Sequence, residues 1–131
     1  MKYYSLRFKI MSMKDFKTLE IWRMSITLAK DINEITQLFP ANEKFALTMQ
    51  MKRSGVSIPS NIAEGCGRRT QADMRQFIHI AIGSSFELET QVEIAYLSHY
   101  INLETYNILL SRLNILQKKM IRFLGGLGVR Y

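Results

Sequence analysis

The stretch "RSGVSIPSNIAEGCGRR", residues 53–69, sets a glycine and a proline inside a helical repeat and brackets both with arginines. Two readings compete: a loop that holds phosphate, or a bent helix in a bundle. Leu47, Met51, Ser54, Ile58, Ile62 and Cys66 recur every three or four residues straight through Gly55 and Pro59, so the helical phase survives the proline. A strand reading can draw on Val56, Ile58 and Ile62, but Pro59 would remove a ladder donor and both flanks are helical. A phosphate loop requires GxxxxGK followed by Ser or Thr at the turn after a strand, and this stretch supplies neither. The segment therefore reads as a helix kinked at Pro59. Pro59 lacks the amide that would bond the Gly55 carbonyl, and its ring presses on that carbonyl, at about 3 kcal/mol if nothing relaxes. Gly55 gives the backbone latitude, while the Ser57 and Ser60 hydroxyls are placed to satisfy loosened groups. Gly65 and Gly67 close the apolar stripe and are expected to end the helix, leaving Arg68 and Arg69 on an exposed turn.

Upstream, residues 18–40 place Ile21, Met24, Leu28, Ile32, Ile35 and Phe39 at helical spacing, with Trp22, Ile26 and Ala29 widening the buried face. Thr18 is the candidate N-cap and Pro40 the stop. Downstream, "TQAD" offers Thr70 as a cap answered by Asp73, opening a helix that runs to about His99. Phe77, Ala81, Ser84, Leu88, Val92 and Ala95 form one face of it, and Ile78, Ile80 and Ile82 add apolar surface around its first half. Such breadth implies burial on several sides, including against another subunit. The last helix, residues 103–124, sets Tyr106, Leu109, Leu113, Leu116, Met120 and Phe123 in strict three-four alternation, and Gly125-Gly126 ends it. Four helices of about 20 to 30 residues with short turns define an all-α, antiparallel up-down-up-down four-helix bundle.

The chain of 131 residues has the length of one domain, and its 47% hydrophobic and 22% charged residues exclude wholesale disorder and fibrous repeats. The lone Cys66 excludes an internal disulfide, and no Cys/His cluster offers a structural zinc site. "MKYYSLRFKIMSMKD" lacks the apolar run of a signal peptide, and no stretch of about 18 apolar residues could cross a bilayer. A cytoplasmic protein without a membrane partner is expected. The net charge of +7, from 18 basic and 11 acidic residues, suggests a polyanionic partner without establishing one.

Three pieces, "MKDFKTLEIW" (13–22), "FPANEKFALTMQMKRSGVSIPSNIAEGCGRR" (39–69) and "IAIGSSFELETQVEIA" (80–95), resemble the bacterial four-helix bundle proteins, also called ribosomal-RNA intervening-sequence proteins. Related to that family is the accessory variability determinant of diversity-generating retroelements. "SIPSNIAEG" and "GSSFELETQ" are specific together, and the likeness weakens in the last helix. Two features depart from the family pattern. Ser54-Gly55 stands where small apolar residues such as alanine are usual, and twelve residues precede Met13, where similar proteins tend to begin. Residues 1–12 are therefore expected to be a disordered basic N-terminal extension or to follow from an upstream start, and 13–131 the bundle domain. The resemblance implies a homopentameric ring and, in the retroelement branch, binding to nucleic acid and to a reverse transcriptase.

In an up-down-up-down bundle the start of the first helix, the second turn and the end of the last helix share one end. That end collects Lys14, Lys17, Arg68, Arg69, Arg75, Lys118, Lys119 and Arg122, chiefly against Asp15 and Asp73. The other end collects Asp31, Glu34, Glu43, Glu89, Glu93 and Glu104, with Lys30 and Lys44. Residues 70–100 carry one basic and four acidic residues, and residues 101–131 carry five basic and one acidic. A ring would repeat the basic rim, and the expected activity is electrostatic binding of RNA or DNA through Arg68, Arg69, Arg75, Lys118, Lys119 and Arg122, as an accessory to a nucleic-acid enzyme. For the lysines of the last helix, complementing the macrodipole is the competing explanation. A protein-interaction scaffold without nucleic-acid binding is the alternative function.

No catalytic constellation stands out. A di-iron bundle would need Glu-x-x-His pairs, and none of the glutamates has a histidine three residues on, so no metal or cofactor is expected. His79 and His99 read as solvated or structural, and Glu87, Glu89 and Glu93 as a solvated face. Asn61 and Glu64 read as structural partners near the kink, and Cys66 as a small core residue.

Overall fold

A computed structural model describes residues 15–127; the N-terminal extension expected at 1–12, and Lys14, lie outside them. A single 3₁₀ turn, Phe16–Thr18, leads into four helices: α1 (Glu20–Thr36), α2 (Leu47–Cys66), α3 (Gln71–Leu97) and α4 (Leu103–Gly126). A second 3₁₀ turn, Ala41–Glu43, joins α1 to α2. Each helix packs on its neighbours in sequence, and α1 closes the square against α4 along the thinnest seam. The described residues form an all-α, antiparallel four-helix bundle.

The apolar stripes point where their spacing places them, except that Ile26, expected to widen the buried face of α1, is exposed. Every stripe residue of α2, from Leu47 to Cys66, is buried, as are Leu109, Leu113, Leu116 and Met120 of α4. α2 is helical without interruption through Pro59, which is itself buried. Gly55 is also buried, and a Cβ there would lie 3.7 Å from the Ala29 Cα and 3.8 Å from the Ile32 Cγ2, ordinary contact distances. Gly55 thus faces α1 with room for a methyl group, in addition to lying one turn before the proline.

A buried polar ladder joins α2 to α3. The Ser54 hydroxyl donates to Gln91 Oε1 at 2.6 Å, and the Ser57 and Ser84 hydroxyls bond at 2.8 Å. The Asn61 amide donates to the Ser57 carbonyl at 2.8 Å and to its hydroxyl at 2.9 Å. The Ser57 hydroxyl therefore works across the helix interface, not on the carbonyl that Pro59 leaves free. Among the described residues no buried side-chain nitrogen or oxygen lacks a partner, as a dry interface demands.

The helix ends correct two local expectations. Thr18 does not cap α1: its hydroxyl donates to the Asp15 carbonyl at 2.7 Å inside the 3₁₀ turn, and Leu19 holds the cap position without a side-chain bond. Gly65 does not terminate α2. It lies inside the helix, where a Cβ would stand 3.0 Å from the Phe77 Cβ and 3.2 Å from the Met74 carbonyl oxygen. It is glycine because α3 passes there too closely for a side chain. Thr70 caps α3 as expected, accepting from the Asp73 amide at 3.1 Å, and Asn102 caps α4 through the Thr105 amide at 2.8 Å. α3 closes with His99 in the left-handed region, φ 63°, and the Tyr100 amide returning to the Ala95 carbonyl at 2.9 Å.

Candidate nucleic-acid interface

A small apolar knot builds the basic end. Cys66 at the end of α2, Met74 in the first turn of α3 and Leu127 after α4 are buried together, with Phe16, Leu19 and Phe123 packed on them. This knot gathers the start of α1, the α2–α3 turn and the end of α4, so the expected cations within the described residues share one end of the bundle.

Three of the six are held by partners. Arg68 Nη2 lies 2.6 Å from Glu64 Oε1, and its guanidinium sits 4.6 Å from the centre of the Phe77 ring. Arg75 Nη1 donates to the Leu127 carbonyl at 2.9 Å, tying the start of α3 to the end of α4. Lys119 Nζ lies 2.9 Å from Glu20 Oε1, across the α1–α4 seam. Glu20 and Glu64 therefore join Asp15 and Asp73 at this end, and the rim is less cationic than the sequence count suggested.

The other three, Arg69, Lys118 and Arg122, are exposed and form no ion pair among the described residues, and Lys17 shares that state. Arg23, which the linear reading passed over, belongs to the same end: its Nε donates to the Lys17 carbonyl at 3.0 Å. The only sequence signal for it is its position one turn into α1. Because α4 continues to Gly126, no basic residue falls in its last turn. The macrodipole is felt mainly within that turn, so it does not account for Lys118 and Lys119.

Between the start of α1 and the end of α4 the knot leaves a cleft of about 230 Å³, lined by Leu19, Glu20, Ile21, Lys119, Arg122 and Phe123. Farther along the same seam lies a second, of about 260 Å³, lined by Met24, Thr27, Leu28, Arg112, Ile115 and Leu116, where Arg112 is tied to Asp31 at 2.6 Å.

The acidic side is more evenly spread than expected. Glu43 accepts from the Tyr100 hydroxyl at 3.0 Å at the opposite end, but Glu89 sits at mid-height, accepting from Gln117 Nε2 at 3.0 Å. The bond to Glu43, and the like bond from Tyr106 to Glu93, push both phenols above their ordinary pKa because ionisation would set two anions together. Burial pushes the Cys66 thiol up to about 11, so it is neutral and unreactive at physiological pH. Among the described residues no three His, Cys, Asp or Glu side chains converge as a metal site, and no helix is long and apolar enough to cross a membrane.

Fold and surface together define a four-helix bundle with a cation-bearing end and no assembled metal centre among the described residues. The profile of the 23S rRNA-intervening sequence proteins matches residues 17–122, and the chain belongs to that family. A solved structure from Bacteroides thetaiotaomicron, described as a protein of unknown function from the S23 ribosomal protein family, has the same fold. It is 25% identical with a TM-score of 0.75, and the match covers 80% of this chain and 95% of that one. No curated protein matches the sequence.

Proposed function

We propose that this protein is a non-enzymatic, cytoplasmic RNA-binding bundle that holds the phosphate backbone at its basic end. The observation that carries the reading is the set Arg69, Lys118 and Arg122: exposed cations without ion-pair partners, grouped at one end by the knot beneath them. Arg68, Arg75 and Lys119 add donors whose positions are already fixed. The family's name, which refers to 23S rRNA, favours RNA over DNA. Assembly into a homopentamer, which the resemblance implies, would repeat the rim five times. The outer face of α3 supports assembly, with Ile80 43%, Phe86 51% and Ile94 47% exposed along it. A ring of this kind would serve as an accessory to a nucleic-acid enzyme such as a reverse transcriptase.

The test is fluorescence anisotropy of labelled structured RNA and duplex DNA across a salt series. Three phosphates neutralised per subunit give a log–log slope of roughly −2.7 on duplex DNA. An Arg69→Glu/Arg122→Glu variant should lose binding while keeping its oligomeric mass. These positions are cleaner than Arg68, whose reversal would also set two carboxylates side by side at Glu64. No binding at low salt would sink the proposal.

One observation favours the protein-interaction scaffold instead. Among the described residues the most exposed large apolar side chains, Leu38 at 85%, Phe45 at 78% and Leu97 at 71%, all lie at the end away from the cations. Binding of protein partners by that end, with no affinity for RNA at low salt, would make the scaffold the function.

A further inference from the structure

We infer that the cleft between the start of α1 and the end of α4 takes one unpaired nucleobase of the bound RNA against Phe123, while Arg122 and Lys118 hold the adjoining phosphates. This rests on the RNA-binding reading and specifies the form of RNA recognised. A purely electrostatic rim would bind the most densely charged form, the duplex. The cleft departs from such a rim in its chemistry. Leu19, Ile21 and the half-buried Phe123 present apolar wall, which suits the face of a base and not a phosphate. Its volume of about 230 Å³ falls below the roughly 300 Å³ at which pockets begin to take whole drug-sized ligands, leaving room for one planar group.

The charges around it are arranged to admit a polyanion. Glu20, the carboxylate in the lining, is neutralised by Lys119 at 2.9 Å. Arg122 lines the cleft without an ion-pair partner among the described residues, and Lys118 is its neighbour one turn back on the exposed face of α4. The second cleft on the seam lacks this surround, because its one cation, Arg112, is taken by Asp31. A base bound at the first cleft must leave its stack, so the recognised RNA is a single strand, a bulge or a loop.

The experiment uses a short RNA carrying 2-aminopurine, free and annealed to its complement, titrated at low salt into the full chain. Wild type should bind the single strand roughly tenfold more tightly than the duplex, within the range one stacked base supplies. Its fluorescence should change on binding. Phe123→Leu, which keeps an apolar side chain on the core, should lose that preference and the fluorescence change but keep the salt slope. Arg122→Gln should instead lower the slope, and being exposed it leaves folding untouched. Equal affinity for the two forms, or an unchanged preference in Phe123→Leu, would overturn the base pocket and leave the cationic rim standing. Absence of binding to either form would overturn both.

Discussion

The two buried glycines of α2 show how one missing methyl group can mean opposite things. At Gly65 an added Cβ would meet backbone oxygen and the Phe77 Cβ at 3.0–3.2 Å, so Gly65→Ala must push α3 away, at about 1–3 kcal/mol. At Gly55 the same atom meets only ordinary contacts, and Gly55→Ala should stabilise the helix by roughly 0.5–1 kcal/mol. Thermal melts followed by circular dichroism should move several degrees down for the first variant and a few degrees up for the second. Sequence alone marked both glycines but misread Gly65 as a terminator, because its reason lies in α3. The same holds for Arg75, whose partner is the Leu127 carbonyl fifty-two positions away. Cys66, in contrast, was legible from its place at the end of an apolar stripe. Its thiol should resist an aromatic disulfide reagent at neutral pH and react only once the chain unfolds. Its pKa rises from 9.0 to about 11 on burial, so its contribution to stability is intact below the lower value. It is lost as pH climbs through the upper one, which Cys66→Ala melts at high pH would show by difference.

Helix caps carry more information than helix stripes about where each element begins. Thr70 and Asp73 read correctly because both halves of the motif lie within one turn; Thr18 read wrongly because a 3₁₀ turn takes up its hydroxyl before α1 starts. Asn102, which the sequence did not single out, caps α4 by the same kind of bond, and Asn102→Ala should cost about 1 kcal/mol, seen as faster amide exchange in the first turn of α4. Pro59 tests the geometry of a whole element. α2 is continuous through it, and the missing donor to Gly55 is expected to bend the axis there. Residual dipolar couplings along α2 should then fit two axis directions in wild type and one in Pro59→Ala. One direction in both would dismiss the kink.

On the scale of the molecule, the sequence foretold a charged end because an antiparallel topology converts linear position into height. It did not foretell which cations stay available, since Glu20 and Glu64 act through tertiary and helix-face pairings. Of the three isoleucines that broaden α3 in the sequence, Ile78 and Ile82 are buried within the one chain and Ile80 stays exposed, together with Phe86, Ile94 and Leu97. Light scattering at micromolar concentration should report several subunits, and an Ile80→Glu/Ile94→Glu variant should report one. The Ser54–Gln91 and Ser57–Ser84 rungs have a bearing on how such a gene can change length. One residue inserted between Ser84 and Gln91 would turn the remainder of α3 by about 100°, parting one rung and swinging neighbouring side chains out of register. Insertions and deletions in relatives should therefore collect in the turns at 67–70 and 98–102, while the span between the rungs keeps a constant count.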